Sequence, residues 1–295
     1  MESKFNPKVT ILMSVYNSEK YLREAINSIL GQTFKDFEFL IIDDGSKDGS
    51  VDIIRSYADP RIRFIQNDKN IGLTRSLNKG LKLARGEYIA RMDGDDIALS
   101  DRLEKQVSFL DKYEDIKLVG SSYYEIDEND KVVGHVDCLT NNDDIQRRFL
   151  LPNNCFCHPS TMFRKECIEK VGTYREFFKY SQDYDLWRRI AEEYNVANIG
   201  EPLLKWRISH NSISSTAKTF QYAFHHMGII LAEQRRKYGK DSLGYCPEKK
   251  KYALLRQKNS NSLLVMLKMK CRWLWECAKL KIKLRFPKLV HLIKH

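Results

Sequence analysis

Long apolar runs are missing from this chain of 295 residues. No stretch approaches the roughly 18 consecutive apolar residues that suggest a membrane span. The N-terminus, Met1 to Lys8, is charged and lacks the apolar core of a secretory signal. Cysteine is scarce as well, and the seven cysteines are scattered and odd in number, which indicates reduced thiols rather than a disulfide framework. These absences predict a cytosolic protein.

A glycine-rich turn is also missing after the first strand-like run. A dinucleotide-binding fold needs such a turn there, whereas this chain has Tyr16-Asn17-Ser18-Glu19. This argues against a nicotinamide-dependent dehydrogenase. A zinc site is disfavoured too, because no second Cys or His pair follows Cys155-Phe156-Cys157-His158 at a ligand-like spacing.

Positive charge is concentrated at the C-terminal end. Residues 216–295 carry 19 Lys/Arg and 4 Asp/Glu, a net +15, which leaves −4 of the total +11 for the remainder. A basic segment of this kind indicates an anionic partner, either a membrane surface or a nucleic acid. Trp273 and Trp275 among the lysines favour an interfacial helix on anionic lipid. The alternative is an amphipathic helix packed on the rest of the protein.

The first hundred residues alternate between strand-like and helix-like patterns. Near-continuous apolar runs are typical of strands buried on both faces, and the segments between them have helical spacing, the first of them with Ser18 as its N-cap. The predicted strands are Val9–Val15, Phe37–Ile42, Arg61–Gln66 and Glu87–Met92. This order predicts an α/β fold with a parallel sheet and helices on both faces.

The pattern is looser after residue 100. The predicted helices are Asp101–Tyr113, Asp143–Leu150, Arg164–Lys170, Tyr184–Glu193 and Phe220–Tyr238, and the predicted strands are Leu118–Ile126 and Lys131–Val136. We therefore divide the chain at residues 1–100, 101–215 and 216–295, the last being a basic, helical C-terminal extension.

Two groups of aspartates follow strand-like runs. Asp43-Asp44-Gly45-Ser46 ends the second predicted strand, and Asp93-Gly94-Asp95-Asp96 ends the fourth. Ligands bind outside the carboxyl ends of strands in open α/β sheets, where carboxylates can hold a hard divalent cation that arrives with a substrate phosphate. The two groups predict a nucleotide-diphosphate substrate, although the first alone could be a surface turn and the second a helix N-cap.

Several motifs taken together resemble family 2 glycosyltransferases. They are Val9-Thr10-Ile11-Leu12-Met13-Ser14-Val15-Tyr16-Asn17, Ser28-Ile29-Leu30-Gly31-Gln32-Thr33, Asp43-Asp44-Gly45-Ser46, Asn70-Ile71-Gly72, and Gly86-Glu87-Tyr88-Ile89 with Asp93-Gly94-Asp95-Asp96. The resemblance covers about residues 7 to 215. It implies the GT-A fold, with a Rossmann-like, mostly parallel central sheet flanked by helices. It also implies a nucleotide-sugar donor and inversion of the anomeric centre.

The resemblance implies a donor pocket within residues 1–100, the nucleotide-sugar-binding half. Asp44 would contact the nucleotide base, and Ser14, Val15 and Tyr16 would line the same pocket. Arg75 could approach the donor from the following helix, or it could belong to a solvated helix face.

A metal site is implied by Asp93-Gly94-Asp95, which matches the DXD motif of the family. Asp95 would contact Mg²⁺ or Mn²⁺ directly, and Asp93 would contact the donor ribose or sugar. The cation would bridge the diphosphate and stabilise UDP as it leaves. By the same resemblance, Arg207 could hold phosphate oxygens, and His210 could be a metal ligand, a phosphate donor or a structural residue.

Ser181-Gln182-Asp183-Tyr184 resembles the acidic base motif of the family, with Gln182 where a Glu is usual. Asp183 would take the proton from the acceptor hydroxyl as that oxygen attacks C1. Without the resemblance, Asp183 and Asp185 could be two exposed acids at a helix start. Residues 101–215 would thus form the metal and acceptor half.

The leading hypothesis is a metal-dependent inverting glycosyltransferase. It would move a hexose or N-acetylhexosamine from a UDP-sugar to a glycan or lipid-linked oligosaccharide in surface polysaccharide biosynthesis. The basic extension would hold it on the cytoplasmic face of the inner membrane. A polyprenyl-phosphate glycosyltransferase is the enzymatic alternative. A nucleic-acid-binding protein is the other class, but no nucleic-acid partner is predicted, because the first 215 residues are acidic and carry no such motif.

Overall fold

The computed structural model describes residues 6–208 and 218–246. Strands and helices alternate over the first hundred residues, as predicted. The strands are β1 (Val9–Val15), β2 (Phe37–Asp43), β3 (Ile62–Gln66), β4 (Tyr88–Met92) and the short β5 (Ile97–Ala98). The helices between them are α1 (Glu19–Leu30), α2 (Ser50–Arg55) and α3 (Leu73–Leu83).

The remaining elements follow the predicted order with two differences. The helices are α4 (Arg102–Lys112), α5 (Asn142–Arg148), α6 (Glu166–Val171), α7 (Gln182–Glu193) and α8 (Lys218–Tyr238), and the strands are β6 (Ile116–Ile126), β7 (Val132–Val136), β8 (Met162–Arg164) and β9 (Asn195–Arg207). The helix predicted from Arg164 begins at Glu166, because Met162–Arg164 pairs as β8 between β4 and β6. The long β9 was not predicted, and its pairing with β6 is irregular beside Pro202.

The nine strands of the described residues form one sheet, which runs β3-β2-β1-β4-β8-β6-β9-β5, with β7 paired to β6. The predicted parallel arrangement is confirmed for β1 to β4. The rest of the sheet is mixed, since β8 is antiparallel to both of its neighbours and β6 is parallel to β9.

Helices cover both faces of the parallel part of the sheet. Every residue of β2 is buried, because Phe39 and Ile41 pack with α1 while Leu40 and Ile42 pack with α3. This explains why the strand reads as a continuous apolar run and not as an alternating one. The core thus holds the carboxyl ends of these strands in fixed positions.

Helix α8 packs against the segment that leads into α7. Phe224, Met227 and Leu231 of α8 form a cluster with Phe178 of that segment. Within the two described ranges, no helix is long and apolar enough to cross a membrane. Trp273 and Trp275, on which the membrane prediction depends, lie outside the described residues.

Candidate active site

The sheet register brings the two aspartate groups to one edge. Strand β1 aligns Val15 with Asp43 of β2 and Met13 with Met92 of β4. Asp44 directly follows the last residue of β2, and Asp93 directly follows the last residue of β4. They therefore leave the sheet at the same edge, on either side of the end of β1, where Ser14 and Tyr16 lie.

Asp44 is a buried carboxylate that holds the loop before α3. It accepts hydrogen bonds from the backbone N–H groups of Ile71 and Gly72, both at 2.9 Å. The side chains of Asn67 and Ser76 donate to it as well, at 3.0 and 2.9 Å. The structure thus assigns Asp44 a role in shaping the Asn70-Ile71-Gly72 loop. Its predicted contact with the nucleotide base stays a prediction.

Two loops are joined beside this carboxylate. The N–H of Asn17 donates to Ser46 Oγ at 3.0 Å, and Lys47 N donates to Asn17 Oδ1 at 2.9 Å. The predicted cap of α1 is wrong in detail: the Ser18 side chain makes no capping hydrogen bond, and Asp48 accepts from the first N–H of the helix instead. The β1–α1 and β2–α2 loops therefore form one platform.

A cavity of about 360 Å³ opens next to this platform. Its lining residues are Gly45, Ser46, Lys47, Gln66, Asn67 and Asp68. Gly45 has φ +76° and lies so close to the next loop that a Cβ would come within 2.6 Å of the Lys69 backbone. Tyr16, 46% exposed, offers a ring at the same edge of the sheet. Val15 is buried, and Ser14 is partly buried.

The second aspartate group is a cluster of carboxylates whose pKa values are raised by burial and by one another's charge. Burial, reinforced by the charge of Asp93, raises the pKa of Asp95 to about 6. Burial and the charge of Asp95 raise the pKa of Asp96 well above its usual range. Asp96 Oδ2 is buried and has no hydrogen-bond partner among the described residues. Asp93 is paired with the buried Arg91 guanidinium.

These carboxylates fit a hard divalent cation. They offer oxygen donors only, which suits Mg²⁺ or Mn²⁺, and a cation would relieve the charge that raises their pKa values. Within residues 6–208 and 218–246, no group of three or more His, Cys, Asp or Glu side chains has an arrangement that could hold a metal ion by itself. His210, the second predicted ligand, lies outside the described residues.

Arg207 supports the acidic group from behind. Its backbone N–H donates to Asp96 Oδ1 at 2.8 Å, and its Nε donates to the Asp95 carbonyl oxygen at 2.8 Å. Its guanidinium is buried, pairs with Asp130 at 2.5 Å, and lies 4.0 Å from the Tyr21 ring centroid. The structure thus gives Arg207 the role of fixing Asp95 and Asp96. Its predicted phosphate contact stays a prediction.

Asp183 lies in the first turn of α7, after Ser181 in a left-handed conformation (φ +64°). One carboxylate oxygen accepts from Asn154 Nδ2 at 2.7 Å. Burial raises the pKa of Asp183 above its usual range, and the charge of Asp93 contributes in the same direction. The general base candidate and the acidic group therefore share one electrostatic environment. A raised pKa makes a carboxylate a better proton acceptor.

Asp185 differs sharply from Asp183, although it is in the same turn. It is buried between Arg175 and Arg189. Burial works to raise its pKa, but the charges of Arg189 and Arg175 hold the pKa below its usual range. A carboxylate in this state is a poor base, so the geometry favours Asp183.

Arg75 lies on the exposed side of α3 and pairs with Glu176 at 2.8 Å. Its predicted approach to the donor is neither shown nor contradicted. Sequence reasoning missed Asn154 and Arg91, which orient Asp183 and Asp93. Arg91 carried a signal, since a lone arginine in the middle of an apolar strand requires a buried partner. Asn154 carried none.

The fold and this arrangement of carboxylates define the protein as a GT-A type glycosyltransferase. The family model "Glycosyl transferase family 2" matches residues 10–172. The chain belongs to this family.

Relatives with curated descriptions are also glycosyltransferases. An uncharacterised glycosyltransferase of Methanocaldococcus jannaschii is 39% identical over 226 residues, covering 74% of this chain and 78% of the relative. The O-antigen biosynthesis glycosyltransferase WbnJ of Escherichia coli is 35% identical over 218 residues, covering 72% of this chain and 84% of WbnJ. Among solved structures, S. aureus TarS 1–349 in complex with UDP-GlcNAc has a TM-score of 0.63 at 18% identity, covering 79% of this chain and 70% of TarS 1–349. At that identity the likeness concerns the fold.

Proposed function

We propose that this enzyme transfers a hexose or N-acetylhexosamine from a UDP-sugar to a hydroxyl of a glycan acceptor, with inversion and with a divalent cation. The observation that carries the proposal is the presence of two unlike acidic sites that interact electrostatically, since the charge of Asp93 helps to raise the pKa of Asp183. One is the acidic group at the end of β4, in which burial and the charge of Asp93 raise the pKa of Asp95, and the other is a single carboxylate, Asp183, with a raised pKa. A transferase of this kind needs both a cation site and a base.

The donor lies over the platform formed by the β1–α1 and β2–α2 loops. Its base enters the cavity beside Asp44, with Tyr16 available for stacking and Ser14 and Val15 at the end of β1. Asp93, fixed by Arg91, contacts the donor sugar or ribose. When bound at Asp95, Mg²⁺ or Mn²⁺ supplies positive charge against the diphosphate of the leaving UDP.

Asp183 accepts the proton of the acceptor hydroxyl. Asn154 donates to one of its oxygens and so orients the carboxylate toward the acceptor hydroxyl. Proton acceptance makes the acceptor oxygen a stronger nucleophile as it attacks C1 from the face opposite the leaving UDP. That direction of attack inverts the anomeric centre.

The acceptor is a lipid-linked glycan in surface polysaccharide biosynthesis. The support is the name of WbnJ, an O-antigen biosynthesis glycosyltransferase. The support for UDP is the TarS complex with UDP-GlcNAc, which shares the fold. The basic residues and tryptophans after residue 246 add support for a membrane-bound acceptor, since anionic lipid attracts such segments.

A thermal-shift screen tests the donor. Full-length protein is heated with UDP-GlcNAc, UDP-glucose, UDP-galactose and GDP-mannose, each with and without Mn²⁺. A ligand that binds only the native state at 100 times its Kd stabilises by about 2.7 kcal/mol. We expect a UDP-sugar to raise Tm, and to raise it more with Mn²⁺. If none does and no UDP is released in the presence of glycan acceptors, the proposed reaction is wrong.

Sedimentation with vesicles tests the membrane attachment. Full-length protein should sediment with vesicles rich in anionic lipid, less at high salt, and poorly with neutral vesicles. A chain that ends near Lys258 should stay in the supernatant. If the full-length and the shortened protein bind the vesicles equally, the residues after Lys258 are not the membrane attachment.

A further inference from the structure

A chain of six charged side chains, four of them buried, fastens the C-terminal part of the described structure to the helix that carries Asp183. The charges alternate in sign, three arginines with three carboxylates. In order, they are Arg189, Asp185, Arg175, Asp241, Arg235 and Glu192. We call this set the charge clamp. Asp241 is fully buried, and the side chain of Arg235 is 1% exposed.

The charge clamp begins and ends on α7. Arg189 and Asp185 lie on α7, 3.0 Å apart. At the other end, Arg235 of α8 holds Glu192 of α7 through two bonds of 2.6 Å. Asp241, in the loop after α8, joins the halves by accepting from Arg175 at 2.8 Å and from Arg235. Residues 218–241 are thus attached to both ends of the same helix.

The charge clamp also fixes the segment that precedes Asp183. Arg175 lies in this segment and binds Asp185 through its Nε at 2.8 Å. Arg189 donates to the carbonyl oxygens of Gly172 and Thr173, at 3.2 and 2.7 Å, where the segment begins. The segment is therefore held at its start and at its middle. Its last residues contact α8, where Phe178 packs on Phe224 and Ser181 Oγ lies 3.5 Å from the Gln221 carbonyl oxygen.

Ion pairs of this kind can have a purely structural role, but these lie next to the turn that carries the candidate base, Asp183. Asp185 is two residues from Asp183, and Arg175 crosses from that turn directly to Asp241. A shift of the first turn of α7 moves Asp183 relative to Asn154 and to the acidic group. Misplacement of a catalytic group by about 1 Å can lower the rate by roughly 10²-fold.

We propose that Asp241 and Arg235 are positioning residues, which hold Asp183 in place from the C-terminal helix through Arg175 and Asp185. This inference rests on the proposed role of Asp183 as general base. By this inference, α8 and the loop after it contribute to catalysis by positioning the general base.

The test is Asp241→Asn in the full-length protein. The substitution keeps the shape, and the remaining oxygen can still accept from the backbone N–H groups of Leu243 and Tyr245. It removes the charge between the buried Arg235 guanidinium and the partly buried Arg175 guanidinium. Glu233→Gln is the matched control, because Glu233 lies on α8, as Arg235 does, but pairs with the partly exposed Arg236 and not with the charge clamp. Arg235→Lys, which keeps the charge but not the two bonds to Glu192, is measured in parallel.

The readout is kcat for sugar transfer per UDP-binding site, with sites counted by UDP titration in Mn²⁺. A purely structural defect lowers the number of sites and leaves kcat per site unchanged. We expect Asp241→Asn to lower kcat per site about tenfold or more, with the KM for donor unchanged. Arg235→Lys should act in the same direction, and Glu233→Gln should match the wild type.

The inference is wrong if both clamp variants have the same kcat per UDP site as the wild type, because the charge clamp then has no positioning role. If Asp241→Asn does not fold, the kcat per UDP site of Arg235→Lys alone tests the inference: a wild-type value contradicts it, and a lowered value supports it. A wild type that binds UDP but transfers no sugar would instead refute the proposed function, and the positioning role with it.

Discussion

Two groups of buried or partly buried carboxylates in this protein have opposite electrostatic states. At the end of β4, Asp95 and Asp96 have raised pKa values, and one Asp96 oxygen has no partner among the described residues. In the charge clamp, each carboxylate lies between or against arginines, and the pKa of Asp185 is lowered. Excess buried charge costs stability, so a fold retains it where a ligand supplies the missing charge. Balanced charge is retained where it holds elements together.

Removal of Asp95 should have the largest effect. Asp95→Ala should lower turnover on the order of 10³-fold and abolish the Mn²⁺-dependent part of UDP binding. The circular dichroism spectrum should stay near that of the wild type, because the carboxylate is not part of the core. Asp101→Ala, which removes an exposed carboxylate paired with Lys105, is the control. Normal turnover by the Asp95 variant would remove the acidic group from the mechanism.

Asp183→Asn should come next. It keeps the shape of the side chain but cannot accept a proton, so kcat should fall roughly 10²-fold or more. UDP affinity should change little. Because burial raises the pKa of Asp183, the neutral side chain should leave the unfolding free energy unchanged or slightly higher. If this variant is mild and Asp185→Asn abolishes turnover, the base is Asp185.

Asp185→Asn should affect stability in the opposite direction. It leaves Arg175 and Arg189 without their shared carboxylate, and breaking a buried pair in this way costs about 3–5 kcal/mol. Urea unfolding at pH 7 measures the loss. The half-exposed Asp59–Arg61 pair gives the control, since Asp59→Asn should cost about 1 kcal/mol or less. Equal losses for the two variants would show that the charge clamp is no stronger than a surface pair.

His225 gives the smallest expected effect. It lies on α8 with Nδ1 3.0 Å from the Pro152 carbonyl oxygen, and burial lowers its pKa to about 4. The unfolded chain therefore binds the proton more readily, and stability is lost as pH falls from about 6.5 toward 4. Between pH 7 and pH 5 we expect His225 to account for a loss on the order of 1–2 kcal/mol. The same pH change should destabilise His225→Gln less, as followed by urea unfolding; an identical pH dependence would contradict this.

Much of the fold could be predicted from local sequence. Strands β1 to β4 and the helices between them have strong apolar patterns with clear ends, and the structure confirms them within a few residues. Strands β8 and β9 could not be found in this way. Met162–Arg164 is too short to show a period, and β9 contains Gly200 and Pro202, which interrupt its pattern.

The sequence by itself determined which chemistry is available. Asp44 and Asp93 directly follow apolar runs that form parallel strands. The carboxyl ends of parallel strands meet at one edge of the sheet, so the sequence placed both carboxylates there. Only the tertiary structure decided how each carboxylate is used. Residue type and spacing alone do not separate Asp183 from Asp185, and only the family resemblance singled out Asp183; in the structure, Asn154 donates to Asp183 while two arginines enclose Asp185. The pKa of a carboxylate depends on burial and on charges within a few ångströms, and these come from residues distant in the chain, such as Arg175 with Asp241.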